Sequence, residues 1–291
     1  MKARRSCLSL PGSSEAMLAK AASLPADELV IDLEDSVAPA VKADARELVA
    51  ATLERGALPA GRVAVRVNAI ESPWFADDVS TLVGRAGGRI GSLVVPKVEA
   101  PEDVTRVAAL LDSLGEPGAQ VGVQALVETA RGLLAAAAIA SASPRLHTLI
   151  LGYADLAASL GRPPESDDPS LWLHAQDTLL VAARAFGLQA IDGPYLAIRD
   201  ERGLRERAER VRALGFDGKW AVHPGQLEVV NDVFTPSSAE LDRARGILAA
   251  LDRSEGDDGR GAAELDGEMI DEASRKQALE TVARGHAAGL E

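Results

Sequence analysis

Residues 121–155 read VGVQALVETARGLLAAAAIASASPRLHTLILGYAD. Two short apolar runs, 121–127 and 148–151, flank a segment, 129–142, whose apolar residues fall at helical spacing. A run that is apolar at nearly every position suits a strand covered on both faces. Strand, helix and strand in that order form the unit from which parallel sheets are built. Each run delivers a carboxylate just beyond its end, Glu128 after the first and Asp155 after the second.

The pattern repeats in both directions. Predicted strands are 6–10, 29–33, 63–67, 93–98, 121–127, 148–151, 189–192 and 219–222, with helical segments between them such as 101–114 and 171–186. Eight βα repeats favour a closed (β/α)₈ TIM barrel over an open sheet, and a chain of 291 residues exceeds the roughly 250 such a barrel uses. The barrel is expected to end near residue 252. Residues 254–267, rich in Gly, Asp and Glu, read as a flexible linker. A last helical segment, 268–288, follows with apolar residues Met269, Ile270, Ala273, Ala278 and Val282. The expected organisation is therefore a catalytic barrel over 1–252 and a C-terminal helical arm over 253–291, acting as a lid or reaching a neighbouring subunit.

A formal net charge of −13 with no Lys/Arg run argues against nucleic-acid or anionic-membrane partners. The one cysteine, Cys7, lies inside an apolar run and reads as a buried core residue. No intrachain disulfide is possible, so a reducing, cytoplasmic location is expected. The apolar stretch after the basic N-terminus is too short for a signal segment, and no run reaches transmembrane length.

In a barrel, chemistry collects where strands end and βα loops begin. Those ends hold Pro11, Gly12, Ser13 and Ser14; Asp32, Glu34 and Asp35; Arg66 and Asn68; Lys97; Glu128; Asp155; Asp192; and Trp220, His223 and Pro224. So many polar groups at one end point to a site. Glu128 and Asp155 end consecutive strands, and two converging carboxylates repel unless a cation lies between them. Mg²⁺ fits such a pair, and no Cys/His cluster favours zinc. The alternative is that they cap the helices that follow. Arg66 suits an oxo-acid carboxylate or an enolate oxygen. Its alternative is a salt bridge to Glu34 or Asp35.

Seven motifs in order, from Leu10-Pro11-Gly12-Ser13 and Asp32-Leu33-Glu34-Asp35-Ser36-Val37 through Arg66-Val67-Asn68, Val95-Pro96-Lys97, Val127-Glu128-Thr129-Ala130 and Gly152-Tyr153-Ala154-Asp155-Leu156 to Lys219-Trp220-Ala221-Val222-His223-Pro224, resemble the citrate lyase β-subunit-like (CitE-like) family of the HpcH/HpaI aldolase superfamily. The resemblance implies a Mg²⁺-dependent carbon–carbon lyase that cleaves or forms a 3-hydroxyacyl thioester, with coenzyme A carrying the acyl group. It implies Glu128 and Asp155 as metal ligands and Arg66 as the residue on the oxo-acid oxygens. Asp35 would join the catalytic groups. Pro11, Gly12, Ser13, Lys42, Lys97, Trp220, His223 and Pro224 would line the substrate or its thioester arm, with His223 in the lining rather than acting as the base. It further implies that Asp271 completes a neighbouring subunit's site in a trimer or hexamer; the residues alone read Asp271 as a charge at a helix start. Two other readings are a class II pyruvate aldolase acting on free hydroxy-oxo acids, and a complex subunit that acts only with an acyl-carrier protein. A third possibility is that the same site also hydrolyses its thioester product.

Overall fold

Branched apolar side chains crowd eight short segments, and each becomes a strand: β1 (Ser6–Pro11), β2 (Glu28–Asp32), β3 (Val63–Arg66), β4 (Ser92–Val95), β5 (Gly122–Val127), β6 (Leu146–Leu151), β7 (Gln189–Asp192) and β8 (Gly218–Ala221). All neighbouring pairs are parallel, in sequence order. β1 pairs with β8, Cys7 opposite Trp220, which closes the barrel. The expected (β/α)₈ fold is thus the observed one. This computed structural model describes residues 3–163, 168–258 and 261–290.

Inward-facing residues form three layers. One residue from every strand makes the middle layer: Cys7, Val30, Ala64, Val94, Leu126, Ile150, Ile191 and Trp220, all buried. Cys7 is therefore a core residue, as expected. Two residues toward the strand starts lies a polar floor, where Gln124 donates to Glu28 (2.9 Å) and Ser92 (2.7 Å) and Arg4 donates to Glu28 (3.0 Å). Because side chains alternate along a strand, the positions two residues toward the other end also face inward. At the ends of β2 and β3 these are Asp32 and Arg66, and just past the end of β5 it is Glu128. An apolar plug thus separates a closed structural floor from a polar mouth.

Several predicted boundaries shift for local reasons. The strand expected to run to residue 98 stops at Val95, because Pro96 has no N–H to give the ladder and Lys97 turns to φ +53°. The helix expected over 129–142 is two short ones, Ala130–Leu134 and Ala136–Ala140, broken at Ala135 where ψ is 2°. The helix expected from 171 begins at Leu173, after a 3₁₀ turn whose first residue is Pro169.

The chain divides into two compact units, Arg4–Asn231, which contains the barrel, and Asp232–Glu291 together with the first three residues. The division falls before the helix Ser238–Asp258, not after residue 252, because that helix is the platform of the second unit. The stretch 254–267 is not a linker where it is described. The helix continues through its start to Asp258, and Ala263–Leu265 pairs antiparallel with Glu268–Ile270; residues 259–260 lie outside the described residues. Asp266 (φ +52°) and Gly267 (φ +82°) make the turn, the left-handed pair that a two-residue hairpin demands. Ile270 packs on Ala250 and Leu251, with Ile247, Ala263 and Leu265 against them. The terminal helix runs over Glu272–Ala287, with Asp271 as its N-cap. The apolar side chains expected to seek a partner thus find one inside the unit at Ile270 and Ala278, whereas Met269 is exposed.

Candidate active site at the mouth of the barrel

The last residue of β2, Asp32, sits beside the last residue of β3, Arg66. Arg66 grips it with two hydrogen bonds, Nε to Oδ1 and Nη2 to Oδ2, each 2.7 Å. The same guanidinium lies 3.0 Å from Glu34 Oε2, 3.9 Å from Asp35 Oδ2 and 5.9 Å from the centre of the Trp220 ring. Burial alone would raise the Asp32 carboxyl. The Arg66 bonds and charge, with the Ser36 and Glu34 amides, instead hold it below the usual carboxylate range.

Across the mouth, Glu128 follows β5 and Asp155 stands in the first turn of the helix Tyr153–Ser159, which follows β6. Glu128 Oε1 accepts from the Lys97 amide at 2.9 Å. Its carboxyl is pushed up to about 8, first by burial and then by the charges of Glu34 and Asp155. Gly152 makes room for it, since a Cβ there would lie 2.6 Å from both Glu128 Cβ and Oε2. Among the described residues no group of three or more His, Cys, Asp or Glu is arranged as a metal cage. A cation between Glu128 and Asp155 would draw two protein carboxylates and fill its other positions with water or ligand oxygens. That is the habit of Mg²⁺. The donor set, and a carboxylate that burial and repulsion disfavour as an anion, fit such an ion.

These groups share a cavity of about 390 Å³, bounded by Pro11, Asp35, Arg66, Glu128, Asp155 and Trp220 among the expected residues. The other expected residues lie around it in supporting places. Gly12 packs under the loop, donating to the Asp32 carbonyl at 2.8 Å, where a Cβ would meet that oxygen at 2.9 Å. Ser13 is exposed. Lys42 is buried and donates to the carbonyls of Leu33 (2.8 Å) and Glu34 (2.6 Å), fixing the loop that presents Asp35. The Lys97 ammonium donates to Glu34. His223 caps the turn that begins at Pro224, its Nδ1 accepting from Gly225 N at 3.0 Å. Asp271 belongs to the second unit, where its Oδ1 accepts from Ala273 N (2.9 Å) and Ser274 N (3.2 Å).

Three cavity or near-cavity residues were read at strand ends or within a motif but given no role of their own in the sequence: Asp32, Glu34 and Tyr153. Alternation within β2 is the signal that finds Asp32, which keeps phase with inward-facing Val30. Tyr153 donates to Asp192, which also accepts from Lys219 on the neighbouring strand. Nothing in the sequence spacing announces that contact.

A parallel barrel with opposed cationic and acidic groups crowded at the C-terminal ends of its strands has the architecture of a barrel enzyme. Residues 5–224 match the sequence profile of the HpcH/HpaI aldolase/citrate lyase family, and the chain belongs to that family. It is 41% identical to a (3S)-malyl-CoA thioesterase of Cereibacter sphaeroides, over 97% of this chain and 95% of the relative. It is 36% identical to an L-malyl-CoA/beta-methylmalyl-CoA lyase of the same species, over 92% and 90%. Among solved structures it is similar to CitE from Mycobacterium tuberculosis in complex with magnesium, acetoacetate and coenzyme A: TM-score 0.78, 35% identity, 97% of each chain.

Proposed function

We propose that this enzyme cleaves or forms the C2–C3 bond of a small 3-hydroxyacyl-coenzyme A thioester of the malyl type, giving an acyl-CoA and a 2-oxo acid. The observation that carries the reading is one cavity in which Glu128 and Asp155 stand at consecutive strand ends with Arg66 opposite. Glu128 and Asp155 would hold Mg²⁺, which when bound supplies positive charge opposite the guanidinium.

Cleavage begins when the 3-hydroxyl loses its proton to a carboxylate. The C2–C3 bond then breaks, its electron pair passes to the thioester as an enolate, and the former C3 becomes the carbonyl carbon of the oxo acid. A proton returned to C2 completes the acyl-CoA. Arg66 has five N–H groups; three face Asp32 and Glu34, and the remaining two can take oxo-acid oxygens in a planar fork that lysine lacks. Trp220 and Pro11 form apolar wall around the reacting carbons. Asp271 would be the proton-handling carboxylate of a neighbouring subunit's site, in a trimer or hexamer and in the cytoplasm, as the family resemblance implies. Releasing it from its cap would cost two hydrogen bonds. Asp35 is exposed and itself lines the cavity.

A second reading has a specific observation behind it: the 41% identical relative is a thioesterase. Hydrolysis breaks the C–S bond and frees a thiol; cleavage of C2–C3 frees an oxo acid and leaves the thioester intact. Incubating the pure protein with Mg²⁺ and malyl-CoA, and following glyoxylate and free thiol separately, distinguishes the two. Glyoxylate appearing ahead of thiol supports the lyase. Thiol and malate without glyoxylate support the hydrolase. The free-acid aldolase reading requires turnover without coenzyme A and no shift in melting temperature on adding it. The carrier-protein reading requires activity only when an acyl-carrier partner is supplied.

A further inference from the structure

Alternation along β7 and β8 turns Asp192 and Lys219 to the outside of the barrel wall, since Ile191 and Trp220 face in. There they flank a second cavity, of about 350 Å³, between the sheet and the helices Leu173–Ala185 and Glu201–Leu214. It adjoins the reaction cavity, sharing Tyr153, Ala154 and Pro194. Five buried side-chain polar atoms among the described residues lack a hydrogen-bond partner, and two belong to residues that line this one cavity: Gln176 Oε1 and Arg210 Nε. Native interiors leave few such atoms, and each asks for an explanation.

The Gln176 orientation follows from its partner. The Tyr153 hydroxyl has one proton and gives it to Asp192, so Gln176 must present its NH₂ to the Tyr153 oxygen, at 2.7 Å. Its Oε1 therefore stands as an acceptor without a donor, in a side chain only 4% exposed. Arg210 supplies the opposite need, a cation with an unused donor. Arg207 adds a second positive charge one turn away on the same helix. Among the described residues, Asp168 feels the charge of both. Apart from the Asp192–Lys219 pair and the two tyrosines, Tyr153 and Tyr195, the remaining wall is apolar, with Trp172 and Val211 prominent. Among the described residues, one cavity thus holds an unpartnered donor of Arg210 and an unpartnered acceptor of Gln176 against an apolar body.

We infer that this second cavity binds a small hydroxy-carboxylic acid with a compact apolar body, its carboxylate on Arg210 and its hydroxyl donating to Gln176 Oε1. The ligand is distinct from the thioester of the reaction cavity, and the inference does not depend on the reaction assigned there. Because Tyr153 is a wall of both cavities, occupancy is felt at the mouth of the barrel.

The test is calorimetric titration of the whole protein with 2-hydroxyisocaproate, alongside isocaproate and the neutral amide of the hydroxy acid. Saturable binding of the hydroxy acid is expected, about tenfold or more weaker without the hydroxyl or without the charge. Arg210→Gln should lose at least that much, and Ala157→Leu, which fills the cavity from another element, should abolish binding. Arg66→Lys, which alters only the reaction cavity, should bind as the wild type does. Absence of saturable binding in the wild type, equal binding by the amide, or undiminished binding in Ala157→Leu would overturn the inference. So would loss in Arg66→Lys, which would put the acid in the reaction cavity.

Discussion

Arg66 has two tasks, and they pull on the same guanidinium. It neutralises Asp32 through a two-pronged bond, and it presents its remaining donors to the cavity. Removing one partner of a buried pair leaves the other uncompensated, which costs about 3–5 kcal/mol. Asp32→Asn should therefore destabilise the protein by that order in urea unfolding at pH 7. Asp32 titrates lower in the folded protein than in the unfolded chain, so its contribution is complete above the unfolded value and is lost as pH falls through the folded one. The gap between wild type and Asp32→Asn should narrow when melts are carried from pH 5 to pH 3; a constant gap would show that the ion pair is not its source. Gly152→Ala tests the other side of the mouth. Its new Cβ would displace Glu128, so Mg²⁺-dependent turnover should fall tenfold or more while the far-ultraviolet circular dichroism is unchanged. Wild-type turnover would remove Glu128 from the reaction. The mouth positions of Arg66, Glu128 and Asp155 were legible because each is a charged group at or just past a strand end. Asp32 was harder to see because Asp32, Glu34 and Asp35 crowd one turn, and only the side-chain phase of β2 decides which carboxylate meets Arg66.

Elements were legible where one rule governs them. The eight strands emerge from apolar runs because a parallel strand is buried on both faces and leaves little for polar residues to do. Their ends slipped by one to three residues where a proline or a left-handed residue cut the ladder, as at Pro96 and Lys97. The C-terminal region was misread because Gly and Asp serve both flexible linkers and tight turns. Asp266-Gly267 is a hairpin turn, and its partners are strands only three residues long, too short for alternation to register. Ile270 anchors that hairpin to the helix Ser238–Asp258. Ile270→Ala should cost about 2–5 kcal/mol, as large-to-small core changes do. Amide exchange should quicken in the hairpin and terminal helix and stay slow in the barrel strands. Equal protection in mutant and wild type would mean that the hairpin does not rely on this contact.

At the scale of the whole molecule, three inward layers divide the work: a polar floor bonded to itself, an apolar plug built from all eight strands, and a mouth whose charges face a cavity. The closing register of β1 on β8 lies beyond sequence reading, since repeat number suggests closure but only the ladder makes it. Shared sites are a separate prediction. If Asp271 serves a neighbouring barrel, mixing Asp271→Ala with Glu128→Ala protein under subunit exchange restores activity at those interfaces that combine an intact metal pair with an intact Asp271. No recovery after demonstrated exchange would confine catalysis to one chain, with Asp35 the remaining carboxylate. The central claim is carbon–carbon cleavage of a hydroxyacyl thioester by the Glu128, Asp155 and Arg66 mouth. Its most direct test is to supply purified protein and Mg²⁺ with a panel of 3-hydroxyacyl-CoA esters and measure 2-oxo acid release, with and without EDTA and in Glu128→Ala. The account predicts oxo-acid release from at least one malyl-type ester, lost with the chelator and in the variant. Release that persists at full rate in EDTA or in Glu128→Ala, or no oxo acid from any ester, would contradict it.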